Sequence, residues 1–189
     1  MPDTNTLILI AVVVVVALGL IYAVLQMRRS KSLKSRFGTE YERVVAETGG
    51  KGKAEAELAE RAKRVKKLEI RPLPAGQAES FTRSWKSVQS AFVDDPKRAV
   101  AEADQLIGEL MSARGYPVTD FEQRAADLSV DHGELVTNYR AGHEIALRHE
   151  RGDAGTEDLR QAMIHYRALF EDLIDEPADR RVAEVRRAS

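Results

Sequence analysis

Cysteine is absent, tryptophan occurs once, and aromatic residues make up only 6% of the 189 positions. Without cysteine there is no disulfide framework, no thiolate zinc site, no cysteine nucleophile and no lipid-modified cysteine anchor. Charge of one sign is also missing. The 29 basic and 30 acidic residues leave a formal net charge of -1, so the chain as a whole has no broad positive field for nucleic acid. Lys63, Arg64, Lys66 and Lys67 read as a solvated helix face, and no nucleic-acid partner is expected.

Catalytic patterns are missing as well. There is no Gly-x-Ser-x-Gly, no Ser-x-x-Lys and no dinucleotide-binding glycine pattern. A di-iron bundle needs Glu three residues before His, but those positions before His132, His143, His149 and His165 hold Ser129, Arg140, Ala146 and Ala162. His143-Glu144 opens like a zinc-protease helix, yet Leu147 stands where the second His belongs. His143 and His149 face different sides of a helix and cannot share an ion unaided. The run Gly49-Gly50-Lys51-Gly52-Lys53 lacks the early glycine of a phosphate loop, has no strand before it, and continues into Ala54 in place of Ser or Thr. No enzyme, catalytic residue, cofactor or metal site is expected.

What is present begins with an apolar run, Leu7 to Leu25, long enough as a helix at about 1.5 Å per residue to cross a hydrocarbon layer about 30 Å thick. Arg28, Arg29, Lys31, Lys34 and Arg36 follow it, while residues 1–6 carry Asp3 and no basic residue. A cleaved signal would show the opposite order. The positive-inside rule therefore predicts a single-pass helix over 7–27, a short outer N-terminus over 1–6, and a basic juxtamembrane segment over 28–38 on the cytoplasmic side. The basic side chains also suit anionic headgroups, at about 1 kcal/mol each near the surface. Gly19 and Ala23 have the small-xxx-small spacing by which two such helices approach.

Residues 39–71 predict a charged helical stalk. Thr39 and Glu42 make a capping-box pattern, Gly49-Gly50 breaks the first helix, and Leu58, Ala62, Val65 and Leu68 form a narrow stripe on the second. Glu57 to Arg61 and Glu60 to Arg64 are favourable i,i+4 pairs. Such a stripe suits a coiled-coil partner, through which the stalk could pair with a second copy, or docking on the folded domain. Pro72 and Pro74 mark a linker over 72–76.

A folded domain is expected over 77–176. Phe81, Trp85, Val88 and Phe92 line its first helix, and Asp95-Pro96 caps and opens the second, with Val100, Ala103, Leu106, Ile107, Leu110 and Met111 inward. Thr119 with Glu122 predicts a short helix, Asp131 with Glu134 a long one to about Arg151, and Thr156 caps a last one lined by Leu159, Met163, Tyr166, Leu169, Phe170 and Leu173. With no sustained period-two alternation and short connections, the fold class is all-α: an antiparallel bundle of four long helices and one short, behind the apolar helix and the stalk. Residues 177–189 read as a disordered tail.

One polar constellation survives. Asp131, His132, Tyr139 and His143 fall at or near the inward face of one predicted helix, with Arg124, Asp127, Arg140 and Tyr166 as potential neighbours. Buried polar groups require partners, so this is either a hydrogen-bonded network that fixes helix register or a ligand pocket.

The stretches RFGTEYERVV, ERAKRVKKLEIRPLP, SWKSVQSAFVDDPKRAVAEADQLI, RGYPVTDFEQRAADLSVDHGELVTNYRAGHEIA and LRQAMIHYRALFEDLI resemble an uncharacterised bacterial family, some of whose members carry an N-terminal apolar segment. Residues 114–146 are the most specific part. The resemblance implies a bacterial source and brings no known activity, so it transfers no catalytic residue. In the family pattern the residue after Asp131-His132 is often proline; here it is Gly133.

Two functions fit these observations. The first is an interaction protein: a single-pass anchor in the bacterial inner membrane, N-terminus outside, holding a helical bundle at the cytoplasmic face for an unknown protein partner. The second is a sensor of a small molecule or ion, with its pocket around Tyr139 and His143.

Overall fold

A computed structural model describes residues 3–175 and is all-α, with no strand among those residues. The tail expected over 177–189 lies outside the described residues, as do Met1 and Pro2.

Helix α1 spans Thr4–Phe37 without a break. The basic juxtamembrane segment is therefore the last three turns of the same helix. The helix changes its surroundings along its length. From Val13 to Met27 its large apolar side chains are exposed, whereas Leu33 and Phe37 are buried, Phe37 completely. The stretch Val13–Phe37 is long and apolar enough to cross a membrane. The basic residues sit where the surroundings change. Arg36 also helps dock the helix: its Nε donates to the Val130 carbonyl at 3.0 Å and its guanidinium pairs with Asp131 at 3.1 Å.

Helices α2 (Thr39–Thr48) and α3 (Lys51–Val65) correct the expectation of a solvated stalk. They pack on the end of α1 and on α6, so the docking alternative describes them. Leu33, Phe37, Tyr41, Val44, Ala54, Leu58, Val65 and Val130 form one buried cluster. Leu58 and Val65 belong to the narrow stripe read from the sequence; the apolar surface they meet comes from α1, α2 and α6. Burial of the charged residues Glu40, Glu55 and Arg61 completes the interface, which is why apolar periodicity alone made it look too thin.

The segment to Pro74 is extended but attached, with the Arg71 amide donating to the Arg114 carbonyl at 2.8 Å. Helices α4 (Ala75–Ala91), α5 (Pro96–Ala113), α6 (Phe121–Asp131), α7 (Leu135–Glu150) and α8 (Thr156–Asp175) follow, with α6 the short one. A larger apolar cluster runs through α4, α5, α7 and α8, and Leu68 and Ile70 touch both clusters. The antiparallel pair α7 and α8 approaches closely at Gly142, where a Cβ would come within 2.9 Å of the Tyr166 ring.

The caps depart from the sequence pattern in detail. Asp95 accepts from the Arg98 amide as expected. Helix α6 is capped by Asp120, which accepts from the Gln123 amide, and not by Thr119. Gly38 precedes α2, and the Thr39 hydroxyl leaves the helix end to meet Thr137 at 2.7 Å. Before α8, the Gly155 amide donates to Asp158 at 2.8 Å, so the acidic half of a capping box forms one residue ahead of Thr156. Asp131 closes α6, and α7 starts only at Leu135 after Glu134.

Gly133 lies in this α6–α7 junction, against the end of α1. A Cβ there would stand 2.8 Å from the Phe37 carbonyl carbon and oxygen and 2.9 Å from the Arg36 oxygen. Backbone cannot swing aside as a side chain can. Gly133→Ala is therefore expected to lift α1 from the junction at a cost of about 1 to 3 kcal/mol. Limited proteolysis in detergent checks it: cleavage between Phe37 and Val65 should accelerate. An unchanged digestion pattern would contradict this docking.

Candidate functional site

The four residues of the predicted constellation do not form one site. Two of them belong to the end of α6 and two to α7, and the helices hand them to different partners. Asp131 pairs with Arg36 of α1, and His132 Nδ1 lies 2.5 Å from the Asp172 carboxylate of α8. Tyr139 donates its hydroxyl to Asp104 of α5 at 3.0 Å, and His143 stacks on Phe121 with ring centroids 3.6 Å apart.

Asp104 is the centre of the α7 group. It accepts from Tyr139 and from the Arg124 guanidinium at 2.9 Å, tying α5, α6 and α7 together. Burial, helped by the nearby Asp104 carboxylate, pushes the Tyr139 phenol far above its ordinary value, so it stays a donor. Burial likewise lowers His143 below 6.5; Arg124 reinforces this while Asp104 opposes it, and the imidazole is neutral at pH 7. A neutral ring stacked on Phe121 is a packing element. The Tyr166 hydroxyl, fully buried in the same region, has no hydrogen-bond partner among the described residues.

That contrast gives a paired expectation. Tyr139→Phe removes a hydrogen bond to a charged acceptor and should cost about 1.5 to 3 kcal/mol. Tyr166→Phe removes a buried hydroxyl that satisfies nothing, and should leave stability unchanged or raise it. Thermal unfolding of both variants beside wild type checks this; equal losses would mean the Tyr166 hydroxyl is engaged.

A second network centres on Glu40, 1% exposed and reached from three directions. Its carboxylate accepts from Arg43 at 2.6 and 2.8 Å, from Arg61 of α3 at 3.0 Å, and from Arg140 of α7 at 3.4 Å. Glu47, Glu57 and Glu122 hold the far sides of these guanidiniums. Nearby, Asp127 of α6 receives two bonds from Arg64 at 2.6 and 2.9 Å and one from Gln123 at 2.9 Å. Arg64 thus prefers Asp127 to the expected Glu60, whereas the Glu57–Arg61 pair forms as read.

A third lies at the top of the domain. Glu55, 3% exposed, accepts from Ser30 at 2.5 Å, from Tyr41 at 2.9 Å and from Gln26 at 3.3 Å. Burial opposes its charge, but these hydrogen bonds from Ser30 and Tyr41, with the charges of Lys51 and Arg29, hold the carboxyl below 4.5. This locks α3 onto the stretch of α1 just past the apolar run. Beside it, Met27, Ser30, Lys31, Lys34, Tyr41, Glu42, Val45 and Lys51 line an open groove of about 450 Å³.

Sequence reading found Tyr139 and His143, and Arg61 only as the partner of Glu57, but missed Asp104, Glu40, Glu55 and Asp172. A buried acid among charged helix positions carries no local signature. The signal available was the excess of arginines facing into α2, α3, α6 and α7, each requiring an acceptor. Among the described residues no group of three or more His, Asp or Glu side chains is placed to hold a metal ion. No protein-family model, no curated protein and no solved structure matches the chain.

Proposed function

We propose that this protein is a membrane-anchored interaction protein: α1 crosses the bacterial inner membrane once with its N-terminus outside, and α2 to α8 present a helical domain at the cytoplasmic face to another protein. One observation carries the reading. The same unbroken helix exposes apolar side chains from Val13 to Met27 and buries Leu33 and Phe37 in the domain, so one continuous helix joins anchor and domain. Exposed apolar surface of that length is stable in hydrocarbon and costly in water. The flanking Arg28, Arg29, Lys31, Lys34 and Arg36 support a cytoplasmic domain side by the positive-inside rule. The domain's polar groups are spent on holding its helices in register, which favours a scaffold over a catalyst.

The test is fractionation of the full-length protein from its host, followed by protease treatment of right-side-out and inverted membrane vesicles. The reading expects carbonate-resistant membrane association and digestion of the domain only in inverted vesicles. Gentle-detergent purification should then recover a protein partner with the anchored chain that is not recovered after deletion of Leu7 to Leu25. Release by carbonate, or digestion in right-side-out vesicles, would overturn it.

A further inference from the structure

Helices α2 and α3 form a hairpin whose tip, Gly49 to Lys53, points back along α1 toward the apolar run. The contacts fix this register. Lys34 pairs with Glu42 at 2.6 Å, so α2 starts low on α1 and climbs. Glu55 of α3 meets Gln26 and Ser30, while Arg61 and Arg64, further on, meet Glu40 and Asp127 at the other end of the cluster. Helix α3 therefore descends parallel to α1. Lys51 lies one turn before Glu55, about 6 Å higher at about 1.5 Å per residue. That puts it level with the last residues of the apolar run, beside Met27 and Ser30 in the open groove.

The composition of this tip suits one neighbour. Lys51, Gly52 and Lys53 are exposed and Gly50 is half-buried, and no large apolar side chain covers them. Arg28, Arg29, Lys31 and Lys53 carry no ion pair among the described residues, in a domain whose other arginines are mostly paired. With Lys51, whose ammonium reaches Glu55 only at 3.8 Å and is 64% exposed, they bring five basic side chains together on α1 and on the hairpin tip, around the helix that leaves for the bilayer. Elsewhere on α2 and α3 the arginines Arg43, Arg61 and Arg64 pair with buried carboxylates, and the exposed Lys63 pairs with Glu60.

Resting on the anchoring reading, we infer that the α2–α3 tip is a second membrane contact, with Lys51 and Lys53 joining Arg28, Arg29 and Lys31 to hold anionic phospholipid headgroups of the leaflet α1 leaves. The partner is the lipid surface itself. Two contacts separated across the hairpin fix the tilt and rotation of the domain on the bilayer, which a single helix does not. Each lysine near an anionic surface contributes about a fivefold preference, and the preference falls with salt.

The absence of cysteine makes the test direct. Gly52 has nothing within 4 Å of a Cβ, so Gly52→Cys accepts a fluorescent label at the tip. Asp153→Cys, in the loop at the far end of α7, provides the reference. Full-length labelled protein is reconstituted into phosphatidylcholine vesicles with or without phosphatidylglycerol, each containing lipid with a headgroup nitroxide quencher. The expected result is strong quenching at position 52 in phosphatidylglycerol vesicles, several-fold weaker in phosphatidylcholine alone or at high salt, and none at position 153. Lys51→Glu with Lys53→Glu should reduce the contact population at least about tenfold. Flotation separates the failures. Protein that floats with vesicles but shows no lipid-dependent quenching at 52 overturns this contact alone; protein that does not float overturns the anchoring reading and the contact with it.

Discussion

Replacing Glu40 by alanine is expected to cost about 3 to 5 kcal/mol, because it breaks a buried ionic centre and leaves its partners facing one another. Arg43, Arg61 and Arg140 converge on this carboxylate from α2, α3 and α7. Their outer partners Glu47, Glu57 and Glu122 are 44 to 73% exposed, so solvent weakens those pairs. Without Glu40 the interior faces of three guanidiniums repel. Helix α2, with 10 residues, cannot persist outside its packing. Glu40→Gln keeps the shape and should fall between alanine and wild type.

The acid dependence of the same residue supplies its signature. Burial by itself would raise the Glu40 carboxyl, but the hydrogen bond from Arg43, the charges of Arg140 and Arg43 and the bond from Arg61 outweigh it and hold it below 4.5. A folded-state value below the unfolded one means that the contribution is present above about pH 4.5 and is lost as pH falls through the folded value. Wild type and Glu40→Ala should therefore differ most near neutrality and converge in acid. Thermal melts followed by circular dichroism from pH 7 to pH 3 read this directly. A gap independent of pH would mean that the loss is one of packing and not of charge.

How much of this was legible in the sequence depends on the range of the interaction. Asp95-Pro96 names its own helix start because cap and amide lie within one turn. The apolar faces of α4, α5 and α8 were likewise visible as periods, since every residue on them is itself apolar. Thr39 misled because its local pattern competes with a residue 98 positions away, Thr137. The stalk misled more deeply. Three of its eight buried residues, Glu40, Glu55 and Arg61, are charged, and its apolar complement, Leu33 and Phe37, sits in a basic run that topology alone explains. The constellation divided for a similar reason: a helix break at His132–Glu134 separates Asp131 and His132 from Tyr139 and His143, and Gly133 marks that break only once the α1 backbone is seen against it.

Trp85→Ala carries the other large effect, about 3 to 5 kcal/mol, since the indole is 4% exposed and stacks on Phe170 of α8 with centroids 4.7 Å apart. Helix α4 holds on through few other large groups, with Phe81 and Phe92 only partly buried. Trp85→Phe keeps a stacked ring and should lose far less. Near-wild-type melting of the alanine variant would instead assign this face to an interface with another molecule. As the single tryptophan, Trp85 also reports whether the two apolar clusters unfold together. Leu68 and Ile70 pack against both clusters and Arg140 joins Glu40 to α7, so the two halves share contacts that neither can lose alone. The fluorescence midpoint of Trp85 should accordingly fall in Glu40→Ala, although the substituted residue lies in the other cluster. A midpoint unmoved while circular dichroism shifts would show that α2 and α3 melt first, leaving the bundle folded on its own.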